Sequence, residues 1–161
     1  MNMKTKTLIS VFSICLMVLI LSNCNNVQTK TESKTEDNCS EEQIISMLKS
    51  FYTGYINANA ELNRNESDSI EKRYCTPKYL NDIHKMLEEQ TIDYDPFLHS
   101  QMVDLTMLEN IRIKKDSIQN DIYYFSYFRP YYKKYKSIKL RITKENDCCR
   151  IDSIFLDYTN F

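Results

Sequence analysis

The stretch Thr91-Ile92-Asp93-Tyr94-Asp95-Pro96-Phe97-Leu98-His99-Ser100-Gln101-Met102 separates two halves of different period. Before it, apolar residues recur every three or four positions, which marks helices; after it they alternate, which marks strands. The same stretch gathers Asp93, Asp95, His99 and Gln101 beside Tyr94, Phe97 and Leu98, so a pocket is expected to involve it. Asp95 before Pro96 suits an N-cap with proline at the first helical position. Phe97 should then insert between the first helix and an aromatic strand. A competing reading makes Asp95 a desolvated general base.

Upstream, Ser40-Glu41-Glu42-Gln43 has the form of a capping box, and a helix should start there. Ile44, Ile45, Leu48, Phe51, Tyr52, Tyr55, Ile56 and Ala58 supply one broad apolar face. Gly54, the single glycine of the chain, falls inside this helix at a cost of about 1 kcal/mol relative to alanine. Close approach of another element or mere chance explains it equally well. Ile70 and Tyr74 suggest a short second helix, and Thr76-Pro77 opens a third whose buried stripe is Tyr79, Leu80, Ile83 and Leu87. His84 lies on the margin of that stripe, where a half-buried structural role competes with a catalytic one.

Downstream, Ile111 and Ile113 oppose Arg112 and Lys114, while Ile138, Leu140 and Ile142 oppose Lys139, Arg141 and Thr143. These are half-buried strands. Ile122 to Phe128 is apolar or aromatic on both faces apart from Ser126, as suits a central strand or one that wraps a cavity. A last strand runs from about Cys149 to Leu156. Asn120-Asp121, Asn146-Asp147 and the Pro130 region supply turns, with Asn and Asp in place of glycine. The fold class is therefore α+β, with N-terminal helices packed on a curved antiparallel four-stranded sheet.

The N-terminus gives an address. Lys4 and Lys6 precede an apolar run, Thr7 to Leu21, that is shorter than a membrane span and suits a signal peptide over residues 1–23. Leu21-Ser22-Asn23-Cys24 resembles a bacterial lipoprotein lipobox, although Asn23 replaces the usual small residue; an uncleaved signal anchor is the alternative. The resemblance implies lipid on Cys24, a palmitate-type anchor, and a protein held on a bacterial membrane, the outer one, facing the periplasm. Residues 24–39 are polar and read as a flexible tether. Residues 40–161 form a single α+β domain. With Lys4 and Lys6 set aside, the 21 basic residues become 19 against 22 acidic ones, a formal charge of −3. That is no nucleic-acid-binding balance.

Four cysteines remain for the domain: Cys39, Cys75, Cys148 and Cys149. The expected bridge joins Cys75 to Cys148 or Cys149, since exported cysteines flanking a core tend to pair. No metal site is expected, because adjacent cysteines on a strand point to opposite faces and both histidines lie elsewhere. Nothing in the sequence calls for a cofactor.

Phe51-Tyr52-Thr53-Gly54-Tyr55-Ile56, Lys72-Arg73-Tyr74-Cys75-Thr76, Asp93-Tyr94-Asp95-Pro96-Phe97-Leu98 with Gln101, and Arg150-Ile151-Asp152-Ser153-Ile154 resemble the small exported proteins of domain-of-unknown-function family 3828. That family is similar to the cone-shaped nuclear-transport-factor-2-like and cystatin-like folds. The resemblance implies a cavity between helix and sheet and no assigned reaction.

Three functions follow as expectations. A non-catalytic binding module would use Tyr94, Phe97, Gln101, Tyr124 and Tyr127, with a small molecule, glycan or protein as partner. An enzyme would use Asp93, Asp95, His84 or His99 as acid or base. A periplasmic immunity or inhibitor protein would cover a toxin's active site, though no residue points to it.

Overall fold

In a computed structural model, the described residues are 39–155. Three helices, α1 (Glu41–Ala60), α2 (Arg64–Tyr74) and α3 (Pro77–Glu88), precede four strands, β1 (Arg112–Lys115), β2 (Ile122–Arg129), β3 (Lys134–Glu145) and β4 (Cys148–Phe155). The strands form an antiparallel meander in the order β1-β2-β3-β4. This is the expected α+β architecture, with the helices on one face. The expected signal peptide, Cys24 and nearly all of the expected tether lie outside the described residues.

Each helix starts where local chemistry supplies a cap. Ser40 Oγ accepts from Gln43 N (3.2 Å) while Gln43 Oε1 accepts from Ser40 N (2.9 Å), which closes the capping box of α1. Asn63 caps α2, and Thr76 caps α3 by accepting from Tyr79 N at 3.2 Å. Gly54 marks a close approach: a Cβ there would sit 3.1 Å from Ile70 Cδ1 on α2. Two expectations on α3 need correction. Leu87 is 43% exposed and His84 is exposed, because the stripe that meets the core continues from Ile83 to the half-buried Met86 and not to Leu87.

The sheet shows how turns are made without glycine. Asn146 and Asp147 adopt φ of 50° and 60°, as a two-residue hairpin turn requires, and Lys133 takes φ 50° beyond the short turn Pro130–Tyr132. On β4, Ile151 faces Ile142 and Ser153 faces Arg141, so Asp152 is an extra, bulged residue. The bulge lets Ile151 and Ile154, three apart, both face the core. Asp152 itself accepts from the Thr76 hydroxyl (3.2 Å), tying the start of α3 to the sheet.

Between α1 and the sheet, the space is filled by rings. Tyr52 stacks on Phe125 with centroids 3.4 Å apart, and Leu48, Ile56, Ile138 and Leu140 close around the pair, all fully buried. The cavity implied at this place by the family resemblance is thus packed with side chains.

The disulfide also departs from expectation. Cys39 bonds Cys149, while Cys75 is a buried free thiol and Cys148 an exposed one. Cys75 is in register with Ile151, not with Cys149, and two residues along a strand is about 6.6 Å. Cys39, read as the end of the tether, instead belongs to the folded unit and fastens the start of α1 to β4.

Candidate functional site

Asp95 organises the stretch that divides the chain. Its Oδ1 accepts from Phe97 N and Leu98 N, both at 2.9 Å, and its Oδ2 accepts from the Tyr55 hydroxyl at 2.7 Å. Its backbone carbonyl accepts from His99 N (2.7 Å) and its N–H donates to the Ser100 carbonyl (2.9 Å). The result is one tight turn with Pro96 where no amide donor is needed. Burial pushes the Asp95 carboxyl above its ordinary range, against the pull of those three hydrogen bonds. Burial likewise pushes the Tyr55 phenol well up, with the Asp95 charge adding to it.

Two more tyrosines reach the same turn from opposite sides. Tyr52 on α1 donates to the Phe97 carbonyl at 3.3 Å, and Tyr127 on β2 donates to the Leu98 carbonyl at 2.8 Å. Burial pushes the Tyr127 phenol up to about 12, so it stays a donor at ordinary pH. Phe97 is 1% exposed, with its ring 5.3 Å from Phe51, 4.9 Å from Tyr55 and 6.0 Å from Tyr79. Its ring contacts are therefore with α1 and α3, and the aromatic strand meets this turn through the Tyr127 hydroxyl.

The turn has a wet side as well. His99 adopts φ 48°, a left-handed conformation, and its ring meets Tyr94 edge-on at 5.7 Å. Asp93 is exposed and accepts from Gln101 Nε2 at 3.5 Å. These four residues form one wall of an open cleft of about 570 Å³. Arg129, Tyr131, Tyr132 and Lys136, at the tip of the β2–β3 hairpin, form the other, and Asp104 and Met107 lie between. The Arg129 guanidinium sits 4.0 Å over the Tyr132 ring.

Of the residues singled out in the sequence, the cleft unites Asp93, Tyr94, His99, Gln101 and Tyr127. Asp95 and Phe97 turn inward, and His84 is on the outer side of α3. Tyr124 cannot join Tyr127, because residues three apart on a strand point to opposite faces; its hydroxyl donates to Asp116 Oδ2 at 3.0 Å. Arg129 and Asp104 were not anticipated. The only sequence signal for Arg129 was its place before Pro130, which ends the strand and turns the hairpin tip over the cleft.

Chemically, the cleft offers aromatic faces with both signs of charge. Among the described residues, no group of three or more His, Cys, Asp or Glu side chains could hold a metal ion. No described helix is long and apolar enough to cross a membrane. Another hollow of about 630 Å³ lies beside the disulfide and includes Cys148, Lys144 and Arg150.

No family model matches the chain, and no curated protein matches it. Among solved structures, a protein of unknown function from Bacteroides thetaiotaomicron VPI-5482 is similar, with a TM-score of 0.63 and 20% sequence identity over 72% of this chain and 91% of that one. That likeness is one of fold.

Proposed function

We propose that this chain is an exported, lipid-anchored binding module that holds a sugar or similar polar ligand in the cleft between the Asp93–Gln101 wall and the hairpin tip. The observation that carries this reading is the pair of tyrosines at the rim, Tyr131 at 89% and Tyr132 at 53% exposure, facing polar groups of both signs. The Tyr131 ring, left to water at the mouth of a cleft beside the Tyr132 ring that Arg129 covers on one face, suits stacking on a sugar, and the charged side chains suit its hydroxyls. The non-catalytic part rests on Asp95, whose carboxylate oxygens are engaged by Tyr55, Phe97 and Leu98. Anchoring through Cys24 and residence in the periplasm rest on Leu21-Ser22-Asn23-Cys24, and membership of family 3828 belongs to the same reading.

The test is a titration with neutral di- and trisaccharides followed by amide chemical shifts and calorimetry. Binding should perturb residues 93–101 and 129–136. A ring contact contributes about 0.5–1.5 kcal/mol, so Tyr131→Ala and Tyr132→Ala should each weaken binding roughly two- to tenfold. Their melting temperatures should match the wild type, since both rings are exposed. Absence of any saccharide binding, or binding unchanged in the double variant, overturns the proposal.

A further inference from the structure

The face of the sheet opposite the helices carries a charge pattern that the cleft does not explain. β1, β2 and β3 as far as Arg141 contain eight Lys or Arg and no Asp or Glu, in a chain whose formal net charge is −1. Four of those cations, Arg112, Lys114, Lys139 and Arg141, occupy outward positions. The register places Lys114 and Lys139 on either side of Tyr124, with Arg112 two residues before Lys114 and Arg141 two residues after Lys139. They form a diagonal track from edge strand β1 to β3, with neighbours about 7 Å apart along a strand and about 10 Å apart across β2. Between them lie the Tyr124 ring and the hydroxyls of Ser126 and Ser137, which hydrogen-bond each other at 3.0 Å. Among the described residues, carboxylates approach from the β1–β2 loop, where Asp116 holds the Tyr124 hydroxyl and Asp121 pairs with Arg141 at 3.2 Å.

We propose that this open face binds a linear anionic polysaccharide, one bearing carboxylates or sulfates, along the Arg112–Lys114–Lys139–Arg141 track. Charge complementarity requires a polyanion, and the local chemistry selects its class. The Tyr135 ring is covered by Arg112 at 3.9 Å, and the Phe155 ring by Lys139 at 4.8 Å and Arg141 at 5.3 Å. With a cation over each of these two rings, Tyr124 is left as one stacking platform on the track, whereas a single-stranded nucleic acid needs several for successive bases. Among the described residues, Met102, Leu105 and Tyr131 belong to other segments, and Ile118 in the β1–β2 loop is the one large exposed apolar side chain beside the track, too little to hold a lipid surface. Cationic heads and hydroxyls, spaced along a line, match a chain of acidic sugars. The site is separate from the cleft, since Arg129 and Lys136 project from the other side of the same strands.

The experiment measures binding of the purified full-length protein to polygalacturonate and to heparin, beside neutral dextran, poly-dT and vesicles rich in phosphatidylglycerol. Binding to at least one acidic polysaccharide is expected, tighter than to dextran and weakened by salt in a way that any cleft binding of neutral dextran is not. Four contacts at a slope of roughly 0.7 per charge, as for single-stranded polyanions, should weaken it at least tenfold between about 50 and 200 mM salt. Arg112→Gln with Lys139→Gln should remove about half of that salt slope while the melting temperature and any saccharide binding in the cleft persist. Tyr131→Ala, in the cleft, should leave polyanion binding unchanged. Equal or tighter binding to poly-dT or to the vesicles, no binding to either acidic polysaccharide, or unchanged affinity in the double variant would overturn the assignment.

Discussion

Phe97 and Asp95, two residues apart in one turn, contribute through different physics. Phe97 fills a space bounded by three rings, so Phe97→Ala should cost about 3–5 kcal/mol. Asp95→Ala loses three hydrogen bonds but also relieves a desolvated carboxylate, and about 1–2 kcal/mol is expected. Asp95→Asn should stay within roughly 1 kcal/mol of the wild type, because its amide oxygen can still accept from Phe97 N and Leu98 N. Thermal unfolding should therefore rank wild type and Asp95→Asn together, then Asp95→Ala, then Phe97→Ala. A marked gain for Asp95→Asn, with loss of a ligand that the wild type binds, would instead mark Asp95 as an active-site carboxylate.

Glu71 provides a pH test at the same scale. Burial, then the charges of Asp68 and Asp95, push its carboxyl from 4.5 to about 7, opposed by a long hydrogen bond from Ser67 (3.4 Å) and by the charge of Lys72. A raised carboxyl pKa means that folding favours the protonated form. Its contribution is fully present below the ordinary pKa and is lost as pH rises through about 7. Glu71→Gln should accordingly be more stable than wild type by about 1 kcal/mol at pH 8, a figure reduced for solvent screening, and equal to it at pH 4. Denaturant unfolding at the two pH values reads this directly; a variant equally stable at both would remove Glu71 as the source.

Among the elements, α1 and β4 are linked covalently. The Cys39–Cys149 bond joins residues 110 apart in sequence, and a bridge of this kind typically contributes about 2–4 kcal/mol. Cys39→Ser should lower stability by that amount and abolish the response to dithiothreitol. Cys75→Ser, which places a hydroxyl in a buried site, should also destabilise but should keep the full response to reductant. A reductant effect that survives Cys39→Ser, or disappears in Cys75→Ser, would identify a different bridge. The bulge at Asp152 acts alongside this bond: the Cys75–Ile151 bridge and the Thr76–Asp152 hydrogen bond seat the α2–α3 junction on β4.

For the whole molecule, the property to test is the proposed anchoring through Cys24. Cys24→Ala should abolish incorporation of labelled palmitate and release the protein from the membrane fraction. Retained label or retained sedimentation with membranes would mean that the chain is held some other way.

Sequence alone was enough to define the elements of this protein, because each is set by local chemistry. The starts of α1 and α3 follow from Ser40, Gln43 and Thr76, the turn at Asn146-Asp147 from side chains that tolerate left-handed backbone, and the core faces of β1 and β3 from alternation. The stretch around Asp95 also stood out as a pivot. What tertiary structure decided was everything that depends on distance between segments. The bond from Cys39 to Cys149, the convergence of the Tyr52, Tyr55 and Tyr127 hydroxyls on one turn, and the separation of Tyr124 from Tyr127 all arise from register and packing. A tyrosine in a sequence carries both a ring and a hydroxyl, and only its surroundings determine which one is used and toward which face. The cleft is likewise a product of assembly, because its two walls are some thirty residues apart and meet only when the hairpin tip folds over the turn that Asp95 holds.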